Sequence, residues 1–387
     1  MKLLFLDSPS YGKEDIISTF EQLGHTVVLF NHDNLYEYND CNFNRDFDDF
    51  VSNQKFDFAF SFNFFPSISN GCKRNQMKYI SFVYDSPQVA LYSYTIINPC
   101  NYVFIFDKAL YLELASEGIQ TVYYLPLCVN EKRLSKLNAV AATTTQYASD
   151  VSFVGSLYTE EHNLFDRMQT LSEHTKGYLQ GIMEAQLKIN GYFFIPELLT
   201  PEILADMKQA QTYVTRPDGT ESDSFIYANY FIARKLTSIE RTRILDAVSS
   251  HFDTKLYTIN PTPFLPHCKN MGTVDYFKEM PQVFRSSKIN LNITLRSIRS
   301  GIPLRAFDIL GSGGFLMSNY QEDFTDCYIP DEDFVFYDGI DDLLSKTDYY
   351  LSHEKERIEI TQNGLHKTLT NHTYEKRVQT MLNTAFQ

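Results

Sequence analysis

Between Ser287 and Met317 the chain reads as an apolar strand, a polar loop, a Gly-Ile-Pro step, a helix, a glycine turn and a second strand. Strands alternating with helices in this way build a layered α/β sheet. The order also builds an anion pocket. Pro303 has the backbone angle a helix start needs and lacks an N–H that would be unused there. The free N–H groups that follow point at whatever anion lies above them. Asp308 stands five residues further on, about 7–8 Å along the helix at 1.5 Å per residue. That spacing suits a diphosphate at the helix tip and a ribose hydroxyl pair beside the carboxylate.

The rest of the chain agrees with this class. At 387 residues and 43% hydrophobic content it has the length and apolar material for two domains. Its net charge of −14 removes long-range attraction to nucleic acid or anionic lipid. Six cysteines form no C-x-x-C pair, which fits reduced thiols in a cytoplasmic protein. Met1–Leu6 is too short for a signal segment and reads as a buried strand. No apolar run reaches the roughly 18–20 residues of a membrane span.

Strand signals at Leu3–Leu6, Thr26–Phe30, Phe56–Ser61, Tyr79–Tyr84, Tyr102–Phe106 and Val122–Leu125 alternate with helical stretches. Several are continuous apolar runs, the mark of a parallel sheet covered on both faces. This predicts a first Rossmann-like domain over residues 1–130. Residues 131–150, small and polar, read as a linker. A second α/β domain follows over 151–370, opening with the strand Val151–Val154 and the Gly155-Ser156 step, where backbone can approach a ligand. Residues 160–250 are mainly helical, with Thr237-x-x-Glu240 as a capping box. Arg216–Ser222 reads as an exposed loop, and 371–387 as a final amphipathic helix.

Several residues suit chemistry. Arg305 and Asp308 share a face of an otherwise apolar helix. Either they pair with each other, or Arg305 meets a diphosphate while Asp308 accepts from ribose hydroxyls; the two readings are compatible. Arg296 and Arg299 precede Gly301. They are either solvated loop cations or groups that neutralise a departing diphosphate. Asn290 and Asn292 share a strand face, one suited to cap the loop and the other to meet a ligand. Asp85 follows a strand and precedes Ser86-Pro87, as a turn former or as a general base. No H-E-x-x-H, P-loop or G-x-S-x-G is present. Asp331-Glu-Asp333 is the one acidic triplet with metal-like spacing, and it sits in a Pro-led turn.

The run Ser300–Phe315, S-G-I-P-L-R-A-F-D-I-L-G-S-G-G-F, resembles the carboxyl-terminal part of a GT-B glycosyltransferase, most closely the CgeB-like group. Val154-Gly155-Ser156 is similar to the turn that opens the C-terminal domain in such enzymes. Tyr84-Asp85-Ser86-Pro87 resembles the Asp-x-Pro of the CgeB-like amino-terminal half. Group 4 glycosyltransferases carry two Glu eight positions apart, and Ser300 and Asp308 stand at those places here. The resemblance implies two Rossmann-like domains facing a central cleft, with the last helix crossing back. It implies a nucleotide-sugar donor, with UDP as carrier, and a hexosyl or N-acetylhexosaminyl group passed to a protein, glycan or lipid without metal or other cofactor. Together with the readings above, the candidate donor-binding set is Gly155, Ser156, Asn292, Arg299, Ser300, Gly301, Ile302, Arg305 and Asp308. Asp85 and Arg296 are the catalytic candidates. The group 4 likeness argues for retention at the sugar carbon, and Asp85 as a base for inversion. Two rival functions are a two-lobed sugar-nucleotide-binding protein without turnover and a non-hydrolysing UDP-sugar epimerase.

Overall fold

The computed structural model describes residues 1–35, 40–138, 145–160 and 163–387. The chain divides into two compact units. The first comprises Met1–Asn130, Val214–Glu221 and His372–Gln387; the second comprises Glu131–Tyr213 and Ser222–Asn371.

In the first unit the strands are β1 (Lys2–Leu6), β2 (Thr26–Phe30), β3 (Phe58–Phe62), β4 (Lys78–Val83), β5 (Asn101–Ile105) and β6 (Val122–Tyr124). They form a six-stranded sheet in the order β2-β1-β3-β4-β5-β6, every pair parallel. β3 is buried along its whole length and β4 at all but its first residue, as strands covered on both faces must be. Ser61, Tyr79 and Ser81 are the buried polar exceptions, and Ser61 and Tyr79 satisfy each other with a 2.6 Å hydroxyl contact. The helix Tyr374–Phe386 packs against the helix Lys13–Gln22 and against β4 and β5. Its buried stripe is Tyr374, Val378, Met381 and Ala385, the 3.6-residue spacing of an amphipathic helix. Burying a side chain such as Val378 or Met381 contributes about 1.5–3 kcal/mol.

The segment Val214–Glu221 is a loop with Val214, Thr215, Pro217 and Thr220 exposed, as its composition suggests, and it is also pinned by backbone bonds. Gly219 bridges to Ser93, Tyr94 N–H donates to the Asp218 carbonyl at 3.1 Å, and Thr220 N–H donates to Tyr92 O at 2.7 Å. Those backbone bonds bring Asp218 and Glu221 into buried positions.

The second unit holds β7 (Ser149–Val154), β8 (Thr254–Tyr257), β9 (Lys269–Asn270), β10 (Ser287–Asn292), β11 (Leu316–Asn319) and β12 (Val335–Tyr337). Its order is β12-β11-β10-β7-β8-β9, again all parallel. Asn290, fully buried, stitches this sheet. It accepts from Ser152 Oγ at 2.7 Å and donates to the carbonyls of Phe284 (3.0 Å) and Phe315 (3.2 Å). A side chain at Gly314 would meet the Asn290 amide at 2.8 Å and the Phe284 carbonyl at 2.9 Å, so the turn into β11 has room only for glycine.

Two expectations change here. Of residues 131–150, read as a linker, Glu131–Asn138 is a helix and Ser149 opens β7, while 139–144 lie outside the described residues. Thr237 and Glu240 are no capping box. The helix Ala233–Ser249 continues directly from a π-helical turn at Tyr227–Ile232, so Thr237 is interior. Its hydroxyl donates back to the Ala233 carbonyl at 2.8 Å.

Candidate functional site

The order in which strands are added to the second sheet reverses between β7 and β10, and open α/β sheets hold ligands outside the carboxyl ends of the strands at such a switch point. Arg241 occupies this place. Its Nη1 donates to the Ser156 carbonyl, just past β7, at 2.5 Å. Its Nε and Nη2 donate to the Ile293 carbonyl, just past β10, at 3.1 and 2.6 Å. The guanidinium lies over the rings of Phe153 and Tyr158. Burial pushes its pKa down, while Tyr158 and Glu240 pull it back up; a guanidinium keeps its charge regardless. The cation is therefore held by neutral carbonyls, with its charge uncancelled at the point of contact.

The Gly155-Ser156 step is a closed turn. Gly155 N–H donates to the Tyr257 carbonyl at 3.0 Å. Asn260 Oδ1 accepts from Leu157 N–H at 2.7 Å, and Ser156 Oγ accepts from Tyr158 N–H at 2.9 Å. The same hydroxyl donates to Glu160 at 2.6 Å.

The loop after β10 is fixed from two sides. Asn319 Oδ1 accepts from Thr294 N–H at 2.9 Å, and the Ser300 carbonyl accepts from Asp323 N–H at 3.1 Å. From the other side comes the helix Ala233–Ser249. Glu240 accepts from Arg296 Nε at 2.8 Å and Nη2 at 2.6 Å, while Thr237 Oγ1 accepts from Arg296 N–H. Arg296 Nη1 donates to the Ile189 carbonyl at 2.9 Å. This corrects both readings of Arg296. It is neither solvated nor presented as a leaving-group cation, because its fork is spent on a buried carboxylate. Arg299, three residues on, is exposed. Asn292 is likewise drawn into the sheet, donating to Thr294 Oγ1 at 3.0 Å and Ser318 Oγ at 2.9 Å. Ser300, Gly301 and Ile302 are buried.

Pro303 is the N-cap of the helix Leu304–Gly311 rather than its first residue, a one-position difference within the usual spread of helix ends. Ala306, Phe307, Ile309 and Leu310 fill the buried face. Asp308 is buried with them and fully engaged. Tyr276 donates its hydroxyl to Oδ1 at 2.9 Å, and Arg305 Nη1 donates to Oδ2 at 3.2 Å. Arg305 remains about a third exposed, with its guanidinium beside the Phe284 ring and the Met280 sulfur. The helix-internal ion pair is thus present, and it leaves Arg305 open to an incoming anion.

These contacts gather Gly155, Ser156, Asn292, Arg296, Ser300, Arg305 and Asp308 at one edge of the second sheet. Glu240, Arg241 and Tyr276 join them, and sequence reasoning missed all three. Glu240-Arg241 is an ordinary acid–base step in an amphipathic helix, and only the sheet's switch point gives Arg241 its meaning. Three guanidiniums (Arg241, Arg296, Arg305) stand with three carboxylates (Glu160, Glu240, Asp308) in this cluster. Asp331 and Asp333 take no part, since Asp333 pairs with Lys367 at 2.6 Å and accepts from Ile329 N–H.

Asp85 belongs to the first unit, exposed at the carboxyl end of β4. Asn63, just past β3 and in a left-handed conformation, accepts from Tyr84 and Asp85 N–H and donates Nδ2 to Asp85 Oδ2 at 2.9 Å. The carboxylate is oriented by this contact.

Comparison with known proteins adds the following. Residues 241–383, which begin at Arg241, match the family described as glycosyl transferase-like. A glycosyltransferase from Rickettsia africae superposes with a TM-score of 0.53 at 11% identity, over 100% of this chain and 99% of that one. Sucrose-phosphate synthase of Thermosynechococcus elongatus gives 0.55 at 8% identity, covering 100% and 99%. HepE of Anabaena, crystallised with UDP and glucose, gives 0.52 at 9% identity, covering 99% and 100%. No curated protein is significantly similar to the chain in sequence. The fold is GT-B. Among the described residues no helix is long and apolar enough to cross a membrane.

Proposed function

We propose that this GT-B chain transfers a hexosyl or N-acetylhexosaminyl group from a UDP-sugar to an acceptor hydroxyl without a metal ion. One observation carries the reading. The Arg241 cation lies at the switch point of the second sheet, held by carbonyls at the ends of β7 and β10, the strand from which the chain runs on to the Arg305–Asp308 helix. The match of residues 241–383 to a glycosyl transferase-like family supports it, as does the UDP in the HepE structure. Six cysteines without a disulfide between them suit a reducing, cytoplasmic setting.

In this reading the diphosphate sits over the first turn of Leu304–Gly311, where leading N–H groups are open to an anion. Arg305 meets a phosphate oxygen through its exposed edge. The ribose hydroxyls take the place of the Tyr276 hydroxyl on Asp308, trading one neutral donor for another. Arg241 acts through its fixed charge and not by contact. It stabilises the negative charge that builds on the diphosphate as the sugar–oxygen bond breaks. Asp85 receives the proton of the acceptor hydroxyl as that oxygen bonds to the sugar carbon and UDP departs, which gives inversion. Arg296 and Glu240 hold the loop that shapes the site.

The test is incubation with UDP-glucose, UDP-galactose and UDP-N-acetylglucosamine, alone and with saccharide, peptide and lipid acceptors, with released UDP and product anomer read by NMR. UDP release with an inverted product is expected. A retained anomer removes Asp85 as base, and no UDP release from any donor removes the transferase reading.

A further inference from the structure

Gln321 lies two residues beyond β11, at the same carboxyl edge as the Ile293–Gly301 loop. Register places it there: Asn292, the last residue of β10, pairs with Ser318, so Gln321 follows the sheet edge by three residues. Its neighbours are tied to that loop, Asn319 through Thr294 and Asp323 through Ser300. The Gln321 amide nitrogen faces the Ile298 carbonyl at 3.5 Å. Its Oε1, on a side chain only 5% exposed, has no hydrogen-bond partner among the described residues. A buried carbonyl oxygen left unsatisfied is unfavourable, and such groups in native folds call for a reason.

We propose that Gln321 recognises the sugar of the donor, its Oε1 accepting a hydrogen bond from a sugar hydroxyl or N-acetyl N–H. This rests on the glycosyltransferase reading above. The chemistry narrows the choice. An amide oxygen accepts only, so it cannot bind phosphate oxygens, which at neutral pH are acceptors too. In a nucleotide sugar the donor-rich part is the sugar. A site built to receive a hydroxyl discriminates strongly against a ligand that lacks it, because the buried acceptor then stays unpaired. Gln321 therefore sets specificity for the transferred group without adding to the affinity for UDP.

The experiment compares wild type, Gln321→Met and Gln321→Glu by calorimetry with UDP and with the three UDP-sugars named above. Methionine keeps the length and removes the oxygen; glutamate keeps an acceptor. The expected result for Gln321→Met is UDP affinity within about twofold of wild type and affinity for the preferred UDP-sugar lowered about tenfold or more. Gln321→Glu retains most of the preference. Unliganded Gln321→Met melts at or above the wild-type temperature, since an unsatisfied acceptor has been removed. Equal weakening of UDP and UDP-sugar overturns the assignment in favour of a base or structural contact. Unchanged binding of both overturns it in favour of an internal water. Wild type that binds neither UDP nor any UDP-sugar removes the glycosyltransferase reading itself, whereas intact UDP binding with an unaltered sugar preference removes only the role of Gln321.

Discussion

The hydroxyls of Tyr84 and Tyr374 meet at 2.7 Å, although 290 residues separate them in sequence. Tyr84 adjoins the candidate base Asp85, and Tyr374 opens the carboxyl-terminal helix of the same unit. Both crowd Gly12, where a Cβ would press on both hydroxyls and on the Phe62 ring. Tyr374→Phe is expected to cost about 0.5–1.5 kcal/mol, the net value of one such bond. Gly12→Ala is expected to cost more, and adding Tyr374→Phe to it restores part of the loss by removing the oxygen in the way. Thermal melts of the two single variants and the double variant check this, and strict additivity would contradict the crowding.

Glu240 is the counter-charge of a buried arginine. Glu240→Ala leaves Arg296 buried and unpaired, and breaking a buried pair from one side costs about 3–5 kcal/mol. Urea unfolding measures it. A loss below about 1 kcal/mol, the scale of surface pairs, would mean that the pair is hydrated in solution.

Asp308→Ala and Arg305→Ala are expected to weaken UDP binding about tenfold or more while the proteins stay folded, each losing a charge-assisted contact of about 1.5–3 kcal/mol. Calorimetry with UDP reads the affinity, and circular dichroism guards the fold. Unchanged affinity in both variants would falsify the donor-site assignment.

Asp85→Asn keeps the contact with Asn63 by shape but removes the base. Turnover is expected to fall by about 10²–10⁴, with UDP affinity unaltered, because the residue belongs to the first unit and to proton transfer alone. Full activity in this variant would return Asp85 to the role of turn former.

Alkaline stability follows from buried phenols. Burial holds Tyr374 and Tyr337 well above the ordinary tyrosine value, with neighbouring Tyr84 adding to the first and Glu240 to the second. A group whose folded pKa is raised favours the folded state fully below its unfolded value and loses that contribution as pH rises through the folded one. Unfolding free energy should therefore be insensitive to these groups up to about pH 10 and fall above it. Tyr337→Phe should flatten the fall, and melts between pH 8 and 11 with an identical slope would count against it.

Much of the fold was legible because parallel strands announce themselves as apolar runs. Thr26–Phe30 forms at the bounds its sequence suggests, and Tyr79–Tyr84 is displaced by one residue, to Lys78–Val83. Phe58–Phe62 begins two residues later than expected, since Phe56 is only partly buried beside the core and the strand begins after Asp57. What could not be read locally was polar chemistry inside helices. Thr237 and Glu240 have the spacing of a capping box, but their partners lie 59 and 56 residues away in Arg296. Arg241 carries no local signal either, because its acceptors are backbone carbonyls of two strands brought together by a crossover. Arg305 and Asp308 were legible as a pair because a polar wedge on an apolar helix needs a partner, and three positions is within reach.

The first unit is assembled from Met1–Asn130, eight residues near position 217 and the closing helix. During synthesis the amino-terminal strands leave the ribosome early, yet the helix that covers part of β4 and β5 follows only about 240 residues after Asn130. Until that helix emerges the apolar surface waits uncovered, long enough at roughly 5–20 residues per second to be a target for chaperones.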